Sequence, residues 1–210
     1  MSKVISNYFF KLLFLKFILF LSFLFIIPTS SISKISLNEK IELLHSSLQK
    51  ISKNQIANIS DIVIVKDVIE TIYDEKKMIR MIVGKDKWSK TTKQEKEDLA
   101  SVFQEYISYN YVKGFKKISN FKFELRDTQK IGKSYKILKT YLIIPKEEKV
   151  EINYLFHKKN NEWKIFDVLL AGTISEIATK KSEFSKIIND GGIKKLIGTM
   201  KEKINSLNKN

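Results

Sequence analysis

The hydrophobic period of this chain switches once, near Asn120, and no other feature constrains its fold as strongly. Before the switch, apolar residues recur three and four apart, as one face of a helix requires; after it they alternate, as in a half-buried strand. In the first region, "SLNEKIELLHSSLQKI" sets Leu37, Ile41, Leu44, Leu48 and Ile51 on one face, with Ser36 placed to cap it and His45 on the polar flank. "DIVIVKDVIETIYDEKKMIRMIVGKDKW" continues the helical period through Ile64, Val68, Ile72, Ile79 and Val83, and Gly84 is placed to end a helix. The third stretch, "TTKQEKEDLASVFQEYISYNYVKGFKK", opens with Thr92 and Glu95 in capping-box spacing. Its stripe of Leu99, Phe103, Ile107, Tyr111 and Phe115 is widened by Val102 and Tyr106.

After the switch four strands are expected. "FKFEL" faces Phe121, Phe123 and Leu125 one way, and "VEINYLFH" sets Val150, Ile152, Tyr154 and Phe156 against Glu151, Asn153 and His157. "SYKILKTYLIIP" and "EWKIFDVLLAGTISE" differ, because both are apolar on two faces. Short polar connections such as "KNNE" join consecutive strands as hairpins. Two helices then close the chain: "SEFSKIIND", ended by Gly191 and Gly192, and "IKKLIGTMKEKINSL", which carries Ile193, Leu196, Ile197, Met200, Ile204 and Leu207. Helices, an antiparallel meander and helices again define an α+β domain: a twisted four-stranded antiparallel sheet wrapped by N- and C-terminal helices. Strands without a wet face require that the sheet curl around something or be covered on both sides.

The first residues belong to no part of that pattern. Lys3, Lys11 and Lys16 precede an apolar run from Phe17 to Ile27, then Pro28 and a cluster of small residues. A bilayer span needs about 20 apolar residues and this run is about half that, so residues 1–33 read as a secretory signal peptide, cut after Ser31 or Ser33, and residues 34–210 as the domain. An uncleaved membrane anchor is the alternative. With no Cys, the exported domain is held by its core alone.

The chain carries a net charge of +15, and without the three leader lysines 35 basic residues still face 23 acidic ones, a net +12. Only Arg80 and Arg126 are arginines, whereas base readout and bidentate phosphate clamps lean on Arg. The lysines are interleaved with acids instead of gathered into a stripe, so nucleic acid is not an expected partner; attraction to an anionic membrane surface is what such a charge allows.

Most catalytic constellations are missing from the inventory: no Cys nucleophile, no Gly-x-Ser-x-Gly elbow, no phosphate-cradling glycine loop and no dinucleotide fingerprint. His45 and His157 are tied by spacing neither to each other nor to carboxylates, so no metal or cofactor is expected. Asp167, flanked by aliphatic residues within its strand, is the one acid to weigh. It serves either as a structural or solvent-facing carboxylate, or as a general base with a pKa raised by burial.

Three blocks, in order, resemble one family. "YDEKKMIRMIVGKDKW" supplies Tyr73, Asp74, Gly84 and Trp88; the capped helix supplies Thr92 and Phe103; "NEWKIFDVLLAG" supplies Trp163, Lys164, Asp167, Val168 and Gly172. Phe184 and Asp190-Gly191 follow in the last helices. Together they resemble the MlaC family, also called the toluene-tolerance Ttg-type family, over roughly residues 64–203. Two departures stand out: Ala171 where members often carry an acid before the Gly, and a Ser displaced to Ser175.

The resemblance implies a sheet and helices enclosing an apolar cavity for the acyl tails of a phospholipid, which is cargo and not cofactor. It also implies periplasmic shuttling between an outer-membrane complex with an MlaA-like lipoprotein and an inner-membrane ABC transporter with an MlaD-like subunit, which maintains outer-membrane lipid asymmetry. The candidate lipid-binding residues are Phe103, Tyr106, Ile107 and Tyr111 from the long helix, with Tyr141, Ile143, Tyr154, Phe156, Phe166, Val168 and Leu170 from the strands. Trp88 and Trp163 are assigned to structure. Such a carrier needs no active site. Exposing some thirty methylenes to water costs on the order of 20 kcal/mol, whereas a greasy pocket and a bilayer differ little. The rival reading is a small-molecule isomerase on a nuclear-transport-factor-like cone fold that uses Asp167.

Overall fold

The computed structural model describes residues 35–53 and 56–206. The expected signal peptide and Leu207 lie outside the described residues. Helix α1 (Leu37–Ser52) starts where Ser36 accepts from the Glu39 N–H at 3.2 Å and Glu39 returns a bond to the Ser36 N–H at 2.6 Å. It buries Ile41, Leu44, Leu48 and Ile51 as the periodicity requires. It also buries His45, which was expected on the polar flank: the imidazole stacks on Phe123 at 3.7 Å between ring centroids and hydrogen-bonds the Tyr154 hydroxyl at 3.1 Å. A polar ring that finds a partner at depth can join the core.

The next helical stretch is broken in two. Helix α2 (Ile59–Ile72), boxed by Asn58 and Asp61, stops at Tyr73, whose extended backbone forms a parallel bridge with Ile165. The Asp74 N–H donates to the Ile165 carbonyl at 2.8 Å, and the Asp74 side chain then caps helix α3 (Glu75–Val83). Helical periodicity runs through Tyr73 without a sign of this break, because the hydrogen bonds that replace the helical ones come from a strand almost a hundred residues away. Gly84 (φ 85°) ends α3, a short helix α4 (Lys85–Lys90) follows, and α5 (Lys93–Phe115) opens on the expected Thr92–Glu95 capping box.

The strands are β1 (Lys122–Ile131), β2 (Tyr135–Ile143), β3 (Val150–Lys159), β4 (Glu162–Leu170) and β5 (Ile174–Ser175). They form one antiparallel sheet in the order β1-β2-β3-β4-β5, so the sheet has five strands and not the expected four. The extra strand is two residues long, folded back on Leu169 and Leu170 by a turn in which Ala171 (φ 47°) and Gly172 (φ 75°) are left-handed. The φ of 75° at Gly172 favours glycine, and a Cβ there would also stand 3.1 Å from the Glu151 carboxylate, which would have to give way.

A bulge resolves the oddity of β4. Leu155 pairs with Asp167 but Phe156 with Ile165, which leaves Phe166 as an extra residue and shifts the alternation by one. Trp163, Ile165, Val168 and Leu170 consequently share the face of Ile152, Tyr154 and Phe156. The strand reads as apolar on two faces because its phase slips midway; no second layer is required there. Strand β2 keeps its phase: Leu138, Thr140 and Leu142 are buried on the core face, while Ile137, Tyr141 and Ile143 alternate to the other and are half-buried.

The chain ends in α6 (Glu176–Asn205), two helical halves joined at Gly191 and Gly192, which have non-helical backbone. Phe184, Ile188, Leu196, Met200 and Ile204 bury its inner face against the core. The first half starts at Glu176, six residues before the helix the sequence suggested.

Candidate functional site

The site arises from the geometry of α5. Residues four apart on an α-helix differ by about 400° of rotation, so a strict i+4 stripe drifts by about 40° at each step. Leu99 and Phe103 therefore lie in the core, whereas Ile107, Tyr111 and Phe115 have rotated out of it and are only half-buried. Val102, Tyr106, Tyr109 and Val112 take over the core face. Beneath the displaced end of the stripe lies a pocket of about 280 Å³. Its walls are Phe103, Tyr106, Ile107, Asn110, Tyr111, Gly114 and Phe115 from α5, with Tyr73 and with Met78 and Ile82 of α3. Val168 and Leu170 of β4 and Glu176, Ile177 and Lys180 of α6 complete it.

Of the eleven candidate lipid-binding residues, Phe103, Tyr106, Ile107, Tyr111, Val168 and Leu170 border this pocket. The other five do not. Tyr154 and Phe156 are 1% and 0% exposed in the core, Tyr154 against His45 of α1. Tyr141 and Ile143 are on the opposite face of the sheet, where the Tyr141 ring faces Arg126 and Lys149. Phe166, displaced by the bulge, packs against Tyr135 and His157 under the Lys77 ammonium, 4.4 Å from its centroid. Sequence reasoning passed over Asn110 and Gly114, although Ile107, Asn110, Tyr111 and Gly114 follow the i, i+3, i+4, i+7 rule of a single helical face. Glu176, Ile177 and Lys180 carry no such local signal, since only the tertiary fold brings α6 to α5.

The polar groups at the pocket are mostly committed to one another. Lys180 and Lys203 donate to the two oxygens of Glu183 at 2.8 and 2.6 Å, and both ammonium groups stand within 5.7 Å of the Tyr106 ring centroid. Burial raises the Glu176 carboxyl above the usual range, opposed by Lys180. The Tyr73 and Tyr111 hydroxyls meet at 2.5 Å. Burial pushes the Tyr111 phenol up to about 12 and Tyr73 well above its ordinary value, so both remain protonated at neutral pH.

Asp167 does not border the pocket. Its Oδ1 accepts from the N–H groups of Val168 (2.8 Å) and Ile177 (3.1 Å), and its Oδ2 from the Ser175 hydroxyl (2.6 Å). Ser175 in turn caps α6 through the Ala178 N–H. The displaced serine and the buried acid together anchor the start of the last helix beside the pocket. Asp74 gathers His157 at 2.9 Å and Lys159 at 2.8 Å, an ion-pair cluster at the α2–α3 break. Among the described residues no group of three or more His, Cys, Asp or Glu stands close enough to hold a metal ion, and no helix is long and apolar enough to cross a membrane.

Fold and site define an α+β protein of binding type, with a greasy pocket between a long helix, a sheet edge and a C-terminal helix. Residues 38–202 match the family model described as MlaC protein, and the chain belongs to the MlaC family. Among solved structures, the phospholipid-binding protein from Ralstonia solanacearum, in complex with a phospholipid, aligns with a TM-score of 0.68 and 17% identity over 81% of this chain and 95% of its own. A second solved structure reaches only a TM-score of 0.35 at 11% identity over 64% of this chain and 99% of its own. No curated protein matches the sequence.

Proposed function

We propose that this protein is a periplasmic phospholipid carrier. It is exported by a cleaved leader of residues 1–33 and moves lipid between an MlaA-like outer-membrane lipoprotein complex and the MlaD-like subunit of an inner-membrane ABC transporter. The observation that carries this reading is the apolar pocket under α5, in a chain of the MlaC family. A methylene is close in size to a water molecule, whose share of liquid volume is about 30 Å³, so 280 Å³ takes about nine chain carbons. That is part of one acyl tail. Two tails need α5 and the first half of α6 to separate, and the junction at Gly191 and Gly192 lets that half move without unwinding the second. Because the apolar walls of the pocket shelter acyl carbon from water much as a bilayer does, exchange is near balance and its direction rests with the partners. The isomerase alternative gains nothing from Asp167, whose two oxygens are occupied by three donors away from the pocket.

The test is organic extraction and native mass spectrometry of the purified mature protein, with uptake of lipid from labelled vesicles. Recovered phospholipid at about one per chain is the expected result. A protein that emerges empty and takes nothing from vesicles would overturn the proposal.

A further inference from the structure

The two phenols at the pocket hold more protons than they can use. Tyr73 is 2% exposed, and the only hydrogen-bond partner of its hydroxyl among the described residues is the Tyr111 hydroxyl, 2.5 Å away. The converse holds for Tyr111. Two hydroxyls carry two protons; one lies between the oxygens, whichever donates, and the other finds no protein acceptor. The His45–Tyr154 pair does not relieve it: among the described residues no hydrogen bond links either hydroxyl to that pair. An O–H group with no protein acceptor bonds water until something displaces it, and an occupant that offers no acceptor in exchange leaves the group unpaired at a cost, which makes it a specific demand on whatever fills the space. Both rings border the pocket, so the demand is presented to its occupant.

We infer that the Tyr73–Tyr111 pair donates one hydrogen bond to an uncharged acyl oxygen of the occupant, the ester carbonyl of a glycerolipid chain, and so reads the chain linkage rather than the headgroup. This rests on the lipid-carrier reading. An anionic oxygen fits worse: Glu176 borders the same pocket, and Lys180 is already bonded to Glu183. The raised pKa values keep the pair a donor throughout the neutral range. The donor also has a geometric role. It joins α5 to the α2–α3 break, so an ester carbonyl bound there is held between those two elements at the pocket wall.

The experiment offers the mature protein vesicles containing equal amounts of diacyl and dialkyl-ether phosphatidylglycerol of the same chain length, then extracts the protein and counts both by mass spectrometry. One hydrogen bond corresponds to a preference for the diacyl lipid of about threefold to tenfold in the wild type. Tyr73→Phe and Tyr111→Phe each leave one hydroxyl proton without a protein acceptor, so each single variant retains the preference. The double variant loses it, with a ratio near one, and it folds because replacing both partners of a hydrogen bond by apolar groups of the same shape is nearly neutral. Equal loading of the two lipids by the wild type, or a preference that survives in the double variant, overturns the inference while leaving the carrier reading intact. A wild type that takes up neither lipid overturns the carrier reading itself.

Discussion

Replacing Asp167 separates a structural role from a catalytic one. Its carboxylate accepts from Val168 N–H at 2.8 Å, Ile177 N–H at 3.1 Å and Ser175 O–H at 2.6 Å, and the residue is 6% exposed. Hydrogen bonds to a charged group contribute about 1.5–3 kcal/mol each, and three that share one carboxylate do not add. Asp167→Ala also leaves the first turn of α6 short of an acceptor, a capping loss of about 1 kcal/mol. With water repairing part of the damage at the sheet edge, the expected destabilisation is about 3 kcal/mol, which lowers Tm by about 6–12 °C for a domain of this size. Asp167→Asn is milder. Its amide oxygen still serves Val168 and Ile177, but its NH2 turns the Ser175 hydroxyl from donor to acceptor, and that oxygen already accepts from Ala178 N–H at 3.1 Å. The loss is then about 1 kcal/mol. Urea unfolding measures both, with unchanged m-values expected, and vesicle-to-protein lipid exchange by Asp167→Asn should match the wild type. An alanine variant within 0.5 kcal/mol of the wild type, taking about 0.5 as the scatter of neutral surface changes, would refute the anchoring role. So would an asparagine variant of native stability that fails to exchange lipid.

Two further perturbations probe the core. Lys116 Nζ meets Asp61 Oδ2 at 2.8 Å with side-chain exposures of 4% and 8%, so Lys116→Ala strands a buried carboxylate and should cost about 3–5 kcal/mol in urea unfolding. Lys116→Met with Asp61→Asn should recover most of that, and a single variant costing less than the pair would contradict the assignment. Burial pulls the His45 imidazole down to about 3. The unfolded chain binds that proton near pH 6.5 and the folded chain only near 3, so stability is present above 6.5 and is lost as pH falls between those values, by at most about 1.4 kcal/mol per unit. His45→Phe should flatten the acid limb of a stability-against-pH series; parallel limbs would show that His45 is not the group responsible.

The sequence by itself determined the succession of helices, a β-meander and helices again, the caps at Ser36 and Thr92, the glycine breaks at Gly84 and Gly191–Gly192, and the core face of β3. Each is a local rule, settled by residues within a turn or two of one another. The i+4 stripe of α5 also held the pocket in latent form, since a repeat of four on a helix of 3.6 must rotate away from the core. Tertiary structure alone decided the rest. Helix α2 ends at Tyr73 because β4 offers Ile165 as a partner, and the phase of β4 slips at Phe166 because β3 pairs with it through a bulge. His45 is buried because Phe123 and Tyr154 receive it, and Lys180 reaches the pocket because Asp167 and Ser175 fix where α6 begins. These contacts join residues far apart in the chain, so their energies appear only once the backbone has brought the partners together.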